Sequence, residues 1–557
     1  MELSRADDRF AMLPWERLRD KVFTVEGKPF AAYQTLEGAY RFERFVLFVD
    51  QVAIDPPGTP ARARVRVDQA EARFSPALWS SPLRRAALED LIARRWQEAS
   101  RRLGRSRGGR GGVTIEAGGQ EILPRTACRL AEEFVEVRVD LHLPAEGRKA
   151  AARAAQALLV EELPRIVEGA LLFAAYDPAS AARHVDVAED QQALRAQLAE
   201  RGLVAFIADG AALPREDESD RPLPARLVPF QAPAELRVTL RAPHRGEVVG
   251  MGIPRGVTVI IGPAFSGRST LLRAIAHAVY AHVPGDGREY CATVPDAVLV
   301  QADEGRRVEG VNLLPFITSF PGGEDPTRMR AERVPAIVAQ AASIKEALEA
   351  GTSLLLFDED TTAPRLLARD VLWRHLAPEA KEHVIPLADL VRPLFAEHGV
   401  STIIAGGTGS SLPAVADTVI ALDGFRPAVV TARAKALAAE WPAVRVAEVR
   451  GFGGLHHRVP IGESLAFLRG RRVRPDAPAL RTLTLARETV DLRAVAQLVD
   501  AAQTRAAGAA LMYALARGYL DGARTVREVL SLLEADVAAS GLDILSPDDF
   551  PIGGLAS

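Results

Sequence analysis

Val257-Thr-Val-Ile-Ile-Gly-Pro-Ala-Phe-Ser-Gly-Arg-Ser-Thr270 reads as an apolar strand that breaks into a glycine loop and then opens a helix. Gly262 and Gly267 have the spacing of a P-loop, and Ser269 falls at the magnesium position. Arg268 stands where that loop carries its lysine. Further along, Leu354-Leu-Leu-Phe-Asp-Glu-Asp360 is a second apolar strand. It ends in Asp358-Glu359, the pattern that holds magnesium and then a hydrolytic water. Consecutive backbone N–H groups in a tight loop meet phosphate oxygens without side chains. Glycines let the backbone approach closely. The helix expected over about Ser269 to Val279 points its positive end at the same phosphates. Val257, Val259, Ile260 and Ile261 mark a strand buried on both faces, as in a parallel sheet. A plain strand–turn–helix is the bland alternative, but it does not account for the Ser-Thr pair and the Asp-Glu strand end together.

These residues predict ATP or ADP with Mg2+ at Gly262, Pro263, Ala264, Phe265, Ser266, Gly267, Arg268, Ser269 and Thr270. Ser269 and Asp358 are the expected metal ligands and Glu359 the expected catalytic carboxylate. Arginine at 268 keeps the positive charge but is planar, forked and bulkier than lysine. Binding should suffer less than hydrolysis, because backbone amides carry much of the binding. Phosphoryl transfer depends on electrostatic positioning, where small displacements cost orders of magnitude in rate.

The chain has 557 residues, enough for two to four domains. Its 48% hydrophobic and 25% charged residues are ordinary for a globular protein. A net charge of −3 argues against general affinity for nucleic acid, so any such affinity must be local. Two cysteines far apart, Cys128 and Cys291, suit a reducing cytoplasm and offer neither a disulfide framework nor a zinc site. The absence of an 18-residue apolar run and of a signal-peptide pattern leads us to expect a cytoplasmic protein without a membrane span.

Three regions are expected. Residues 1–225 mix short strands, as at Phe45–Val49 and Ala63–Val67, with helices over 82–103 and 146–173. The polar stretch Pro214–Pro222 reads as a linker or long loop. Residues 226–432 hold the nucleotide motifs, with strands at 257–261, 354–358, 401–405 and 418–422 between helices, an α/β layered domain. Residues 433–557 read as helix-rich, with patterns at 490–501 and 504–517.

The stretch from Phe230 to Thr431 resembles the soluble ATPase family of the ABC class. The resemblance is carried by Met251-Gly-Ile-Pro-Arg-Gly-Val-Thr258, Tyr280-Ala-His-Val-Pro-Gly-Asp-Gly-Arg-Glu289, Leu313-Leu-Pro-Phe316, Phe320-Pro-Gly-Gly323, Asp358-Glu-Asp-Thr361, Ser401-Thr-Ile-Ile404 and Val415-Ala-Asp-Thr-Val-Ile420. Flanking stretches match too: Ala117-Gly-Gly-Gln-Glu121, Leu198 to Phe206, Val490-Asp-Leu-Arg493 and Gln503-Thr-Arg505. The resemblance implies an ABC-type P-loop ATPase core, an α+β N-terminal domain, a helical C-terminal region and a homodimer closed on nucleotide. The departures fall on one function. The family loop is roughly G-G-G-Y-H-G-K-S-T, and this chain lacks its lysine. The family's S-G-S-T-S-Q stretch, which stands in place of the ABC signature, is here Pro335-Ala-Ile-Val-Ala-Gln340, with only the glutamine kept. An ABC signature supplies a hydroxyl and glycine amides in trans to the γ-phosphate, which proline and alanine cannot reproduce. The family's asparagine after Asp358-Glu-Asp-Thr361 gives way near Pro364-Arg365, whereas Gly406-Gly-Thr-Gly409 keeps the shape of its G-G-S-G loop. The expectation is nucleotide binding with weak or lost hydrolysis, or a non-catalytic scaffold that keeps the fold for structure.

A second candidate surface is the arginine–glycine run after Arg94-Arg-Trp96. Arg101, Arg102, Arg105, Arg107 and Arg110 could reach phosphates of RNA or single-stranded DNA, and Trp96 could stack on a base. A solvated connector is the competing reading. Arg469, Arg471, Arg472 and Arg474 carry the same ambiguity. His456-His457 lacks a third ligand at metal spacing. Phe230 reads as an adenine-stacking aromatic or, more simply, a core residue.

Overall fold

The computed structural model describes residues 9–53, 59–104, 112–216, 220–223, 227–368, 383–406, 411–440, 451–468, 473–546 and 550–557. Four strands of the nucleotide region divide their side chains between two cores. Val257, Val259, Leu355, Phe357, Ile404 and Val419 pack into one. Ile260, Leu354, Leu356, Ile403, Ala405 and Ile420 pack into the other. Strand side chains alternate between faces, so apolar residues at every position mean burial on both sides. The sheet runs Val298–Leu299, Leu354–Asp358, Ser401–Ala405, Val257–Ile261, Thr418–Asp423, Arg426–Val429. Its first five strands are parallel and the last is antiparallel. This is the α/β layered core that the sequence predicts. The helix Arg268–His277 lies between this sheet and a four-stranded antiparallel one, Arg237–Ala242, Gly246–Pro254, Leu203–Ala208 and Cys291–Thr293. Its Leu271, Leu272 and Ile275 share a core with Ala205 and Ile207 of the antiparallel sheet and with Ile260 and Leu356 of the parallel one.

The N-terminal part is a seven-stranded sheet centred on Ala61–Asp68 against Phe134–His142, an antiparallel pair in register from Ala61↔Leu141 to Asp68↔Phe134. Leu88, Ile92 and Trp96 of the helix Pro82–Gly104 cover it. The helix expected over 146–173 begins only at Ala152, because Ala145–Glu146 and Lys149–Ala150 pair as a tight hairpin around Gly147, whose φ is 63°. Three helical pieces then run to Ala170.

The C-terminal region holds the helix expected over 504–517, as Ala501–Ala516, and a further helix, Val526–Ser540, together with a three-stranded antiparallel sheet, Asp476–Ala479, Thr482–Leu485 and Glu488–Asp491. The helix expected over 490–501 is absent. Asp500 caps the next helix by accepting from Ala502 N at 2.8 Å, with Gln503 reaching back. The segment before it is held open by Gln497. Its amide donates to Ala276 O and Ala297 O, both at 3.0 Å, and accepts from Leu299 N at 2.9 Å, while its carbonyl takes the Tyr280 hydroxyl at 2.9 Å. The C-terminal region also returns to the N-terminal sheet through Arg125–Asp500 at 2.8 Å, Arg505–Glu116 at 2.7 Å and Arg138–Asp543.

Candidate nucleotide site

The loop between Ile261 and the helix Arg268–His277 folds tightly because its glycines have no room for a side chain. A Cβ on Gly262 would stand 2.6 Å from both Leu422 O and Ser266 Oγ. Gly267 has φ 96°, and a Cβ there would meet the Phe425 ring at 3.0 Å. Phe265 takes φ 62° and is 96% exposed at the loop tip, beside exposed Pro263 and Ala264. A non-glycine residue in the left-handed region is strained and persists only where its surroundings hold it. Ser266 is buried and its hydroxyl has no hydrogen-bond partner. Arg268, Ser269 and Thr270 form the first helical turn, whose N–H groups lack partners within the helix.

Opposite the loop, Asp358 is buried at its strand end and caps the following turn by accepting from Asp360 N at 3.3 Å. Ser269 Oγ donates to Asp360 Oδ2 at 3.5 Å, so the carboxylate it reaches is one the sequence did not single out. Arg268 does not stand free over the loop. Its Nη1 lies 3.7 Å from Glu359 Oε2, with the arginine side chain 16% exposed and the glutamate 43%. Gly406 makes space for that glutamate, since a Cβ there would fall 2.4 Å from Glu359 Cβ. Gly407, Thr408 and Gly409 of the same loop lie outside the described residues.

Gln340 is fully buried on the helix Ala336–Ala350. It accepts from Ala363 N at 2.7 Å and donates to Thr362 Oγ1 at 3.4 Å and Val300 O at 3.3 Å. The one glutamine kept from the family stretch therefore braces the segment just after Asp358-Glu359. Pro335 precedes this helix as its N-cap, with no side-chain hydrogen bond.

The donor set fits a nucleotide phosphate with Mg2+. Open N–H groups at a helix start, a guanidinium and an orphaned hydroxyl suit phosphate oxygens. The Ser269, Asp358 and Asp360 oxygens are the hard donors that Mg2+ takes. Phe425, against Gly267 and 51% exposed, is a further neighbour of the loop that sequence reasoning missed, and only the Asp423-Gly-Phe425 turn signal pointed to it.

Other sequence candidates lie elsewhere. Trp96 is fully buried in the N-terminal core, so it is not a base-stacking residue. Arg94 is committed to Asp90 at 2.6 Å and to backbone carbonyls of Gly118 and Glu121. Arg101 and Arg102 are exposed at the end of their helix, with Arg102 paired to Glu98. Arg105, Arg107 and Arg110 lie outside the described residues, as do Arg469, Arg471 and Arg472. Arg474 donates to Gln51 Oε1 at 2.9 Å. Phe230 is a core residue, 4% exposed.

Fold and loop together define a P-loop protein of the ABC class. The family model for the ABC ATPase P-loop domain matches residues 177–458, half of the chain, and that for the N-terminal part of ATPases of the ABC class matches 15–174. The chain belongs to the ABC-class ATPase family. Residues 475–557 match the MRB1590 C-terminal domain model. Among curated proteins, the uncharacterized protein MJ1628 of Methanocaldococcus jannaschii is 29% identical over 249 residues, 42% of this chain. The match spans about half, 54%, of that relative's length. Among solved structures, the chain is similar to cbiO1 from Clostridium perfringens, part of an ABC transporter complex, with 13% identity and a TM-score of 0.25 over 41% of this chain and 87% of that one. A bacterial Atm1-family ABC exporter with ATP bound is similar at 16% identity and a TM-score of 0.24, over 43% of this chain and 41% of that one. No helix of the described residues is long and apolar enough to cross a membrane.

Proposed function

We propose that this protein is a cytoplasmic ABC-class nucleotide binder whose hydrolysis is slow, acting as a switch and not as a motor. The observation that carries this reading is the ion pair between Arg268 and Glu359, 3.7 Å apart. The P-loop cation is turned toward the carboxylate in the catalytic-base position. The pairing occupies that carboxylate with a cation and draws Arg268 away from the phosphate cradle, where phosphoryl transfer needs the charge positioned. The helix start at Pro335 offers no hydroxyl or glycine amides for a partner chain's nucleotide, which supports the same reading. Bound Mg2+ would supply charge neutralisation at the phosphates; Ser269 and Asp358, with Asp360 beside them, would hold it.

The test is thermal stability with millimolar Mg-ATP or Mg-ADP. A ligand held a hundredfold above its Kd stabilises the fold by about 2.7 kcal/mol. The expected result is a clear upward shift that Asp358→Ala abolishes. Turnover should be far below that of lysine-bearing relatives, and Arg268→Lys should restore it only in part. Absence of any shift would favour the scaffold alternative. Rapid wild-type turnover abolished by Glu359→Gln would overturn the slow-hydrolysis reading. A homodimer closed on nucleotide would double the mass in light scattering with Mg-ATP.

The exposed ends of Arg101 and Arg102 support a second reading, RNA or single-stranded DNA binding without sequence preference along the arginine–glycine run. Binding would then fall with salt through counterion release. Serine at 101, 102, 105, 107 and 110 should weaken it and flatten the salt slope in fluorescence anisotropy. Equal binding by wild type and this variant would return the run to a connector.

A further inference from the structure

This chain uses arginine almost everywhere it uses a basic residue. Of its 69 lysines and arginines, six are lysine: Lys21, Lys28, Lys149, Lys345, Lys381 and Lys435. Among those in the described residues, Lys345 alone is buried, at 5% exposure. It sits on the helix Ala336–Ala350, five residues after Gln340. Its ammonium has no hydrogen-bond partner and lies 5.2 Å from the centre of the Phe452 ring. An ammonium carries three donors, and a buried one left without acceptors is costly.

Lys345 helps to line a cavity of about 360 Å³ whose wall also includes Asn312, Thr327, Arg328, His456 and Arg458, with the amine itself buried behind that wall. The wall holds one carboxylate, Glu349, and that group is already spent. Its Oε2 accepts from Arg458 Nε at 2.9 Å and Nη2 at 2.7 Å, and its Oε1 from Arg458 N. Asn312 Oδ1 accepts from Leu314 N at 3.0 Å, so what this side chain can offer the cavity is its N–H donors. Arg328 is exposed and forms no ion pair among the described residues. The charge left over is positive and the groups left over are donors. Burial also pushes the Lys345 amine down to about 8, against the pull of Glu349. An anion arriving in the cavity would reverse that shift and gain the interaction.

We propose that this cavity is a second ligand site, distinct from the P-loop, that takes a small phosphate-bearing molecule with its phosphate on Lys345 and Arg328. A point-charge ammonium with a forked guanidinium suits a phosphate, and the volume exceeds what a bare ion fills. The site would report on the nucleotide region through a single helix, because Gln340 on that helix holds Thr362 and Ala363.

The scarcity of lysine makes the test direct. Pyridoxal 5′-phosphate carries both a phosphate and an aldehyde. The amine adds to the aldehyde, water leaves, and an imine forms. Borohydride then delivers hydride to the imine carbon while water protonates the nitrogen, fixing the label for peptide mass spectrometry. Wild-type protein should be labelled first at Lys345, and pyridoxal, which lacks the phosphate, should label it an order of magnitude less. Arg328→Ala, at an exposed position, should lower labelling without loss of fold. The P-loop contains no lysine, so the label is independent of whether nucleotide binds there. Labelling spread evenly over Lys28, Lys149 and Lys435, or labelling of Lys345 that ignores the phosphate, would overturn the proposal.

Discussion

Arg64→Met is expected to cost about 3–5 kcal/mol of stability, the usual penalty for stranding a buried charge. Arg64 is 1% exposed in the middle of the N-terminal sheet. Its Nε and Nη2 donate to the two Asp50 oxygens at 2.8 and 2.9 Å, and its Nη1 to Glu136 at 3.4 Å. The guanidinium also stacks 4.4 Å from the Phe48 ring centre. Burial alone would raise the Glu136 carboxyl, but the charges of Arg138, Arg64 and Arg66 outweigh it and hold the group below its usual range. Asp50 stays raised by burial even with Arg64 beside it. Removing Arg64 takes away the guanidinium that hydrogen-bonds Asp50 and leaves the charge of Arg9 as the remaining positive influence on it. The midpoint of urea unfolding should fall with little change in its slope. A loss under about 1 kcal/mol would mean that solvent, and not Arg64, compensates Asp50.

Lys345→Met should have the opposite sign. The native amine releases its proton near 8, whereas the unfolded one holds it to about 10.5. Between these values the unfolded chain binds more protons, so wild-type stability rises with pH through that window. Below about pH 8 the full penalty is present. Methionine removes it, a gain on the order of 3 kcal/mol at pH 7 that fades as the pH approaches 10.5. Glu349 on the same helix and Arg458, Arg328 and His456 across the cavity are the charged or titratable groups facing the amine. Their fixed pairing, Glu349 with Arg458, sharpens the comparison. Melting curves of both proteins at pH 7 and pH 10 give the result; a constant difference would show that the amine is hydrated.

The nucleotide core was legible because its strands are apolar at most positions and its loop obeys a local code. Val257 to Ile261 and Leu354 to Phe357 could be placed in a two-faced parallel sheet from their side chains alone. The C-terminal sheet was not legible. Thr482–Leu485 is short, and Val490, Val495 and Val499 mimic a helical stripe. What breaks that helix is Gln497, bonded to backbone far away in sequence. Trp96 next to arginines suggested a stacking platform, but on a helix those neighbours point elsewhere and the indole enters the core. Nothing in the sequence around Lys345 marks it as buried, and Phe452 and Arg458 reach it from another part of the chain. The Arg268–Glu359 pair was invisible for the same reason, although both residues were named.

The Gln497 bonds have a mechanical consequence. One side chain and its own carbonyl fasten the far end of the P-loop helix, the edge strand of the parallel sheet and the base of the C-terminal sheet into one joint. Four hydrogen bonds, each contributing about 0.5–1.5 kcal/mol, would have to break before the C-terminal sheet could slide along that helix. The joint ties the end of the P-loop helix farthest from the phosphates to the segment that opens the helix Ala501–Ala516, so the two cannot part without exposing those backbone groups.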